Sequence, residues 1–161
     1  MVLIRFESTN VTREINVNSL DGFDFTNDLL HTAIFEKYSL KRAIFKQANL
    51  RGANFAYCLL DEANFTDSLL MNSNFMGASM VNTILVDSKL AGAFFLNANL
   101  EKANLSGADL FAANMNGANL KGANMNASRI SDATFVNAEY DNDTMWPDNF
   151  SPIKAGARFI I

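Results

Sequence analysis

The sequence holds little material for disulfide, metal or histidine chemistry, with one cysteine, one histidine and two prolines in 161 residues. Cys58 alone forms no intramolecular disulfide, so nothing implies an oxidising compartment. No histidine–carboxylate or cysteine–histidine constellation occurs, and no glycine-rich loop of phosphate-binding pattern. Catalytic, metal and cofactor-binding residues are therefore not expected, and the chain reads as a non-enzyme. Met1 to Glu7 lack the basic region and long apolar stretch of a secretory signal. The longest uncharged run, Ser68 to Val86, has the length of a membrane span. It contains Asn72, Asn74 and Asn82, whose burial in lipid is too costly. The expectation is a cytoplasmic protein with no membrane partner. Charge is scarce and nearly balanced, at −4 overall, which argues against nucleic acid as a partner.

What the sequence has instead is a period of five. Every fifth residue from Leu20 to Tyr140 is large and apolar, 25 in succession. They run Leu20, Phe25, Leu30, Phe35, Leu40 and onward to Ile130, Phe135 and Tyr140. Two residues before them, from Ala33 to Ala138, stand 22 positions of which 15 are alanine. All the others except Tyr38 are small: Cys58, Ser68, Ser73, Thr83, Ser88 and Ser128. Residues two apart on an extended strand share a face, so each unit points one large and one small side chain inward. Seven of the eight glycines lie two residues after the large position, among Asn and Asp, which suits a left-handed corner. Both prolines fall outside the repeat. A helix is excluded, because a period of five keeps no helical face apolar.

Runs such as Ala48-Asn49-Leu50-Arg51-Gly52, Ala103-Asn104-Leu105-Ser106-Gly107 and Ala118-Asn119-Leu120-Lys121-Gly122 resemble the motif of the pentapeptide-repeat family. The tail with Trp146-Pro147 and Pro152 resembles cyanobacterial members. The resemblance implies an all-β chain wound as a right-handed, quadrilateral parallel β-helix with four pentapeptides per coil and about six coils. Three parts are expected: an N-terminal cap over 1–17, the β-helix over 18–142, regular from about 33, and a C-terminal capping segment over 143–161. The doubtful first coil has Phe23, Asp28 and Tyr38 at small inward positions. Val2, Ile4 and Phe6 suit a covering strand at that end. Met145, Trp146, Phe150 and Ile153 suit the other, and Phe159, Ile160 and Ile161 either pack back or meet a partner.

On a twenty-residue coil, outward columns can be read directly. Asp21, Lys41 and Asp61 stack beside Arg42 and Glu62 as a charge ladder that sets register. Lys37, Lys41, Arg42, Lys46 and Arg51 spread over all four sides as a collar, not a nucleic-acid stripe. Met76, Phe94, Leu96 and Phe111 belong to an outward apolar band, the candidate surface for an unknown protein partner or for a homodimer. Cys58 takes a buried slot, and His31 a surface one. Sequons at Asn10, Asn64 and Asn104 are read as chance products of an asparagine-rich repeat. The leading functional expectation is a structural or protein-interaction module. The alternative implied by the resemblance is a DNA mimic that binds a type II topoisomerase (gyrase) and confers resistance. The lysines that interrupt the acidic columns argue against it.

Overall fold

The structure, a computed structural model, describes residues 1–7 and 11–161; the sequon at Asn10 lies outside the described residues. Its body is a four-sided parallel β-helix. Each side is a single ladder rung, and rungs pair in parallel with the residue twenty further on: Asn54 with Asn74, Asn74 with Phe94, Phe94 with Asn114. The turns between sides repeat one solution. From Leu20 to Leu120 the residue two after each large apolar residue has positive φ, and the next amide donates back to the large residue's carbonyl, as Ala63 does to Leu60. Asn and Asp take this conformation at small cost, whereas Thr32, Lys37, Arg42, Tyr57, Glu62 and Lys102 take it against preference.

The inward rows build a dry core. Phe35, Phe55, Phe75 and Phe95 stack up one side with centroids 5.0, 5.0 and 4.9 Å apart. Phe25, Phe45 and Phe65 stack up the opposite side at 4.8 Å. The two columns interleave edge to face across the core at 5.7–5.9 Å, a favoured aromatic geometry. The stacking distance equals the strand spacing, so identical rings one coil apart meet without adjustment. Polar residues in the small slots are satisfied locally: the hydroxyls of Ser68, Ser73, Thr83 and Ser88 donate to the carbonyls of Phe65, Leu50, Leu60 and Leu85. The Cys58 thiol donates to the Phe35 carbonyl, and burial pushes its pKa up to about 12, which makes it inert.

The first coil is more regular than its sequence suggests. Parallel rungs begin at Asp24, ahead of the start near Ala33 expected above. Strand β1 (Val2–Phe6) pairs antiparallel with β2 (Thr12–Ile15) and with β3 (Ala33–Ile34), so an antiparallel edge closes the rod. Ile4 and Ile15 enter the core, with Val2 and Phe6 packed against it. The three oversized residues of the first coil reach this cap or its core. Arg13 Nη1 donates to Asp28 Oδ2 at 2.7 Å, the Tyr38 hydroxyl donates to the Leu3 carbonyl at 2.8 Å, and Phe23 packs on Phe25.

At the far end the period slips. Asp109 pairs with Ser128, nineteen residues on, so Ala127 and not Ser128 fills the inward slot. Arg129 turns left-handed at φ 51°, and the 3-10 turn Ile130–Asp132 returns Ile130 to the core. Thr144 then fills the last small slot, donating to the Leu120 carbonyl. Strand β5 (Arg158–Phe159) lies parallel on β4 (Glu139–Tyr140). Trp146 and Phe150 cover the end, packing on Phe135, with Trp146 against Tyr140 as well. Met145 and Ile153 do not join them; they are 50% and 68% exposed. Phe159 packs back on Tyr140 at 5.5 Å, and Ile161 is open to solvent.

Glycine corners sit above bulky ones. A Cβ added to Gly77 (φ +64°) would lie 2.6 Å from Cε1 of Tyr57, one coil below. Gly77→Ala should cost about 1–2 kcal/mol in urea unfolding from backbone strain and this contact. In the double variant with Tyr57→Ala the contact part should disappear while the backbone part remains. Equal costs in both backgrounds would contradict the stacking.

Candidate interaction surface

The sides of the rod differ in what they present, because the residue just before each large apolar residue points outward. On nine rungs it is Asn, whose Oδ1 can accept the amide two residues later: Ala56 on Asn54, Met76 on Asn74, Asn116 on Asn114. This loop bond satisfies the one amide of the five that neither the ladder nor the turn uses. Along the side formed by Phe35, Phe55, Phe75 and Phe95, the outward column reads Ile34, Asn54, Asn74, Phe94, Asn114, Thr134. Phe94 therefore interrupts an asparagine row. Phe94 is 49% exposed.

Around Phe94 the surface is concave. A shallow groove of about 410 Å³ is lined by Met76, Phe94 and Leu96 together with Asn54, Asn74, Asn114 and Glu7. Three of the four residues expected for an apolar band thus meet in one place. Phe111 does not line it. Its ring lies on another part of the surface under the Arg129 guanidinium, 4.7 Å from the ring centroid. Tyr57 and Leu59 are exposed apolar residues outside the expected band. Tyr57 was legible, since a tyrosine occupies a corner position otherwise favouring Gly, Asn and Asp.

The charge ladder forms only in part. Lys41 Nζ lies 3.5 Å from Asp61 Oδ2. Asp21 instead accepts the Ser39 hydroxyl at 2.6 Å and the Lys41 amide at 3.0 Å, and Asp61 likewise accepts the Ser79 hydroxyl and the Val81 amide. Arg42 and Glu62 form no ion pair among the described residues; both sit at left-handed corners, at φ 58° and 62°. The main-chain bonds make these aspartates register devices by a route that charge counting does not show. Elsewhere, Asp109 accepts a forked pair of bonds from Arg129, through Nε at 2.7 Å and Nη2, across the slipped rung. The Arg129 bond holds the Asp109 carboxyl below the usual range and raises the guanidinium. For Asp141, burial pushes the pKa up, but bonds from the Gly122 amide and the Thr144 hydroxyl outweigh it and the carboxyl titrates low.

Among the described residues no group of His, Cys, Asp and Glu is placed to hold a metal, and no helix is long and apolar enough to cross a membrane. Two family models match the repeat. The pentapeptide repeat region matches residues 19–95, and the model of eight pentapeptide repeats matches 85–117 and 103–139. The chain belongs to the pentapeptide-repeat family, which fixes the right-handed β-helix as its fold. No curated protein matches it. Among solved structures it is similar to alr5209, a pentapeptide repeat protein from Nostoc PCC 7120, at 25% identity, 79% of this chain, 84% of that one and TM-score 0.31. HetL, involved in heterocyst differentiation regulation in Nostoc sp. strain PCC 7120, gives 21%, 86%, 81% and 0.30. A trypsin-treated variant of QnrB1, a plasmid-mediated fluoroquinolone resistance protein, gives 15%, 91%, 88% and 0.50, a likeness of fold.

The lowered carboxyls set an acid limit. Asp109 and Asp141 have folded pKa values below their unfolded ones, so their stabilisation is complete above the unfolded carboxylate range and is lost as pH falls through the folded values. Thermal melts should be insensitive to these groups from pH 5 to 8 and fall below about pH 4. Asp109→Asn should lower Tm by a few degrees at pH 7 and make the acid decline shallower. An unchanged acid slope would show that the Arg129 fork does not contribute.

Proposed function

We propose that this chain is a non-enzymatic protein-interaction module of the cytoplasm, a rigid rod that presents the Phe94 groove to a protein partner. One observation carries the reading: an aromatic ring is held half in solvent at a rung where the row supplies asparagine on either side. By the rules of the fold Phe94 is a loss, because Asn there would accept the Leu96 amide as Asn74 accepts that of Met76. A residue that breaks a local rule without a structural return points to a role outside the fold. Met76 and Leu96 extend it into a patch, and a second copy of the chain is one partner such a patch can take.

Mimicry of duplex DNA toward gyrase is the weaker reading. Lys41 and Lys121 stand in the acidic columns and pair with Asp61 and Glu139, which removes the continuous negative stripe a mimic requires.

The test separates stability from binding. Phe94→Asn should raise stability by about 0.5–1 kcal/mol, since it restores a capping bond, and should abolish retention of partners from host extract. Phe94→Asp should also abolish retention, and any self-association seen by light scattering. Identical retention and assembly in wild type and both variants would refute the assignment of this face.

A further inference from the structure

The asparagine rows show what Phe94 leaves unmade. At Asn54 a single oxygen serves two donors: Oδ1 accepts the Ala56 amide at 3.0 Å and Asn74 Nδ2, from the coil above, at 3.3 Å. Asn99 repeats the arrangement on another side, accepting the Glu101 amide at 3.2 Å and Asn119 Nδ2 at 2.9 Å. The corresponding donors at the Phe94 rung are the Leu96 amide and Asn114 Nδ2. A phenyl ring stands where the shared oxygen belongs, and neither donor has an acceptor among the described residues. Both residues line the groove. Three coils lower on the same side, at Ile34, the chain meets part of the same need itself, for Asn54 Nδ2 donates to Glu36 Oε2 at 3.5 Å. Ile84 also interrupts its row, leaving the Val86 amide and Asn104 Nδ2 in the same condition, but it does not line this groove.

We propose that the groove takes an extended, neutral-to-basic peptide segment of a partner protein. One main-chain carbonyl oxygen of the segment accepts from the Leu96 amide and Asn114 Nδ2, and a neighbouring apolar side chain rests on Phe94, Met76 and Leu96. The donor pair suits an acceptor oxygen, and a main chain supplies one beside a side chain of the needed character. Among the described residues the lining contains no lysine or arginine and includes Glu7, so phosphate and acidic peptide are disfavoured on charge. This inference rests on the reading of the face as a protein-interaction surface.

The experiment titrates the full ¹⁵N-labelled chain with acetyl-lysyl-leucyl-phenylalanine amide and follows backbone and side-chain amides by NMR. The expected result is a saturable shift, largest at the Leu96 amide and the Asn114 side-chain amide, with the Val86 amide and Asn104 side chain unmoved. Phe94→Asn places the protein's own oxygen between the two donors, and the same spectrum shows that it is folded. It should weaken binding about tenfold or more. The inference is overturned by no saturable shift up to roughly 10 mM, well above a Kd of about 1 mM, by equal shifts at the Ile84 rung, or by undiminished binding in Phe94→Asn. Failure here with partner retention still dependent on Phe94 leaves the interaction surface standing and removes only the carbonyl-directed peptide mode. Loss of both removes the face.

Discussion

Each coil is tied to its neighbours by the same main-chain exchange on every side, and the rest of the molecule follows from keeping that exchange intact. In the unit around Phe55 the Asn54 amide reaches down to the Ala33 carbonyl, while the Phe55 and Tyr57 amides reach up to Asn74 and Met76. The Cys58 amide closes the turn on Phe55, and the Ala56 amide goes to the Asn54 side chain. All five donors are thereby placed, so a side of five residues and a coil of twenty leave no amide of the unit unused. A backbone fixed in this way leaves two inward positions per side, one of them near the corner where space is small. The alternation of alanine with leucine or phenylalanine is the packing consequence.

The constraint also sets where sequence reading works. The period, the core rows and the corner position were legible because each recurs in every unit and a single exception cannot hide the rule. The ends were legible only in kind. Asp28 and Tyr38 looked like obstacles to a regular first coil, because their partners, Arg13 and the Leu3 carbonyl, come from a strand whose antiparallel docking no repeat encodes. The slip at Ser128 was invisible for a different reason: Ile130 keeps its place in the count of fives, while a contraction before Ala127 and the 3-10 turn after it cancel.

The surface was legible in part. Column arithmetic put Met76, Phe94 and Leu96 on one face, and they line one groove, whereas Phe111, outward as expected of the band, lies apart under Arg129 of the slipped rung. Stacking by sign predicted side-chain ion pairs, yet Asp21 and Asp61 bind chiefly to hydroxyls and amides. A carboxylate next to an open amide gains a short charge-assisted bond at little entropic cost, whereas long side chains such as Arg42 gain little from pairing in solvent. The chemistry of the Phe94 rung was not legible at all from columns. It depends on knowing that one asparagine oxygen serves two donors, and that is a fact of geometry.

Native-state hydrogen exchange tests the ladder most directly. If every side is held as described, protection from Asp24 to Asn124 recurs with a period of five. The large residue, the one before it and the corner residue should exchange slowly, and the residue just after the large one should exchange fastest wherever no asparagine caps it, as at Leu96, Val86 and Met71. Uniform protection along the repeat, or fast exchange at the ladder amides of Phe55, Phe75 and Phe95, would contradict the account.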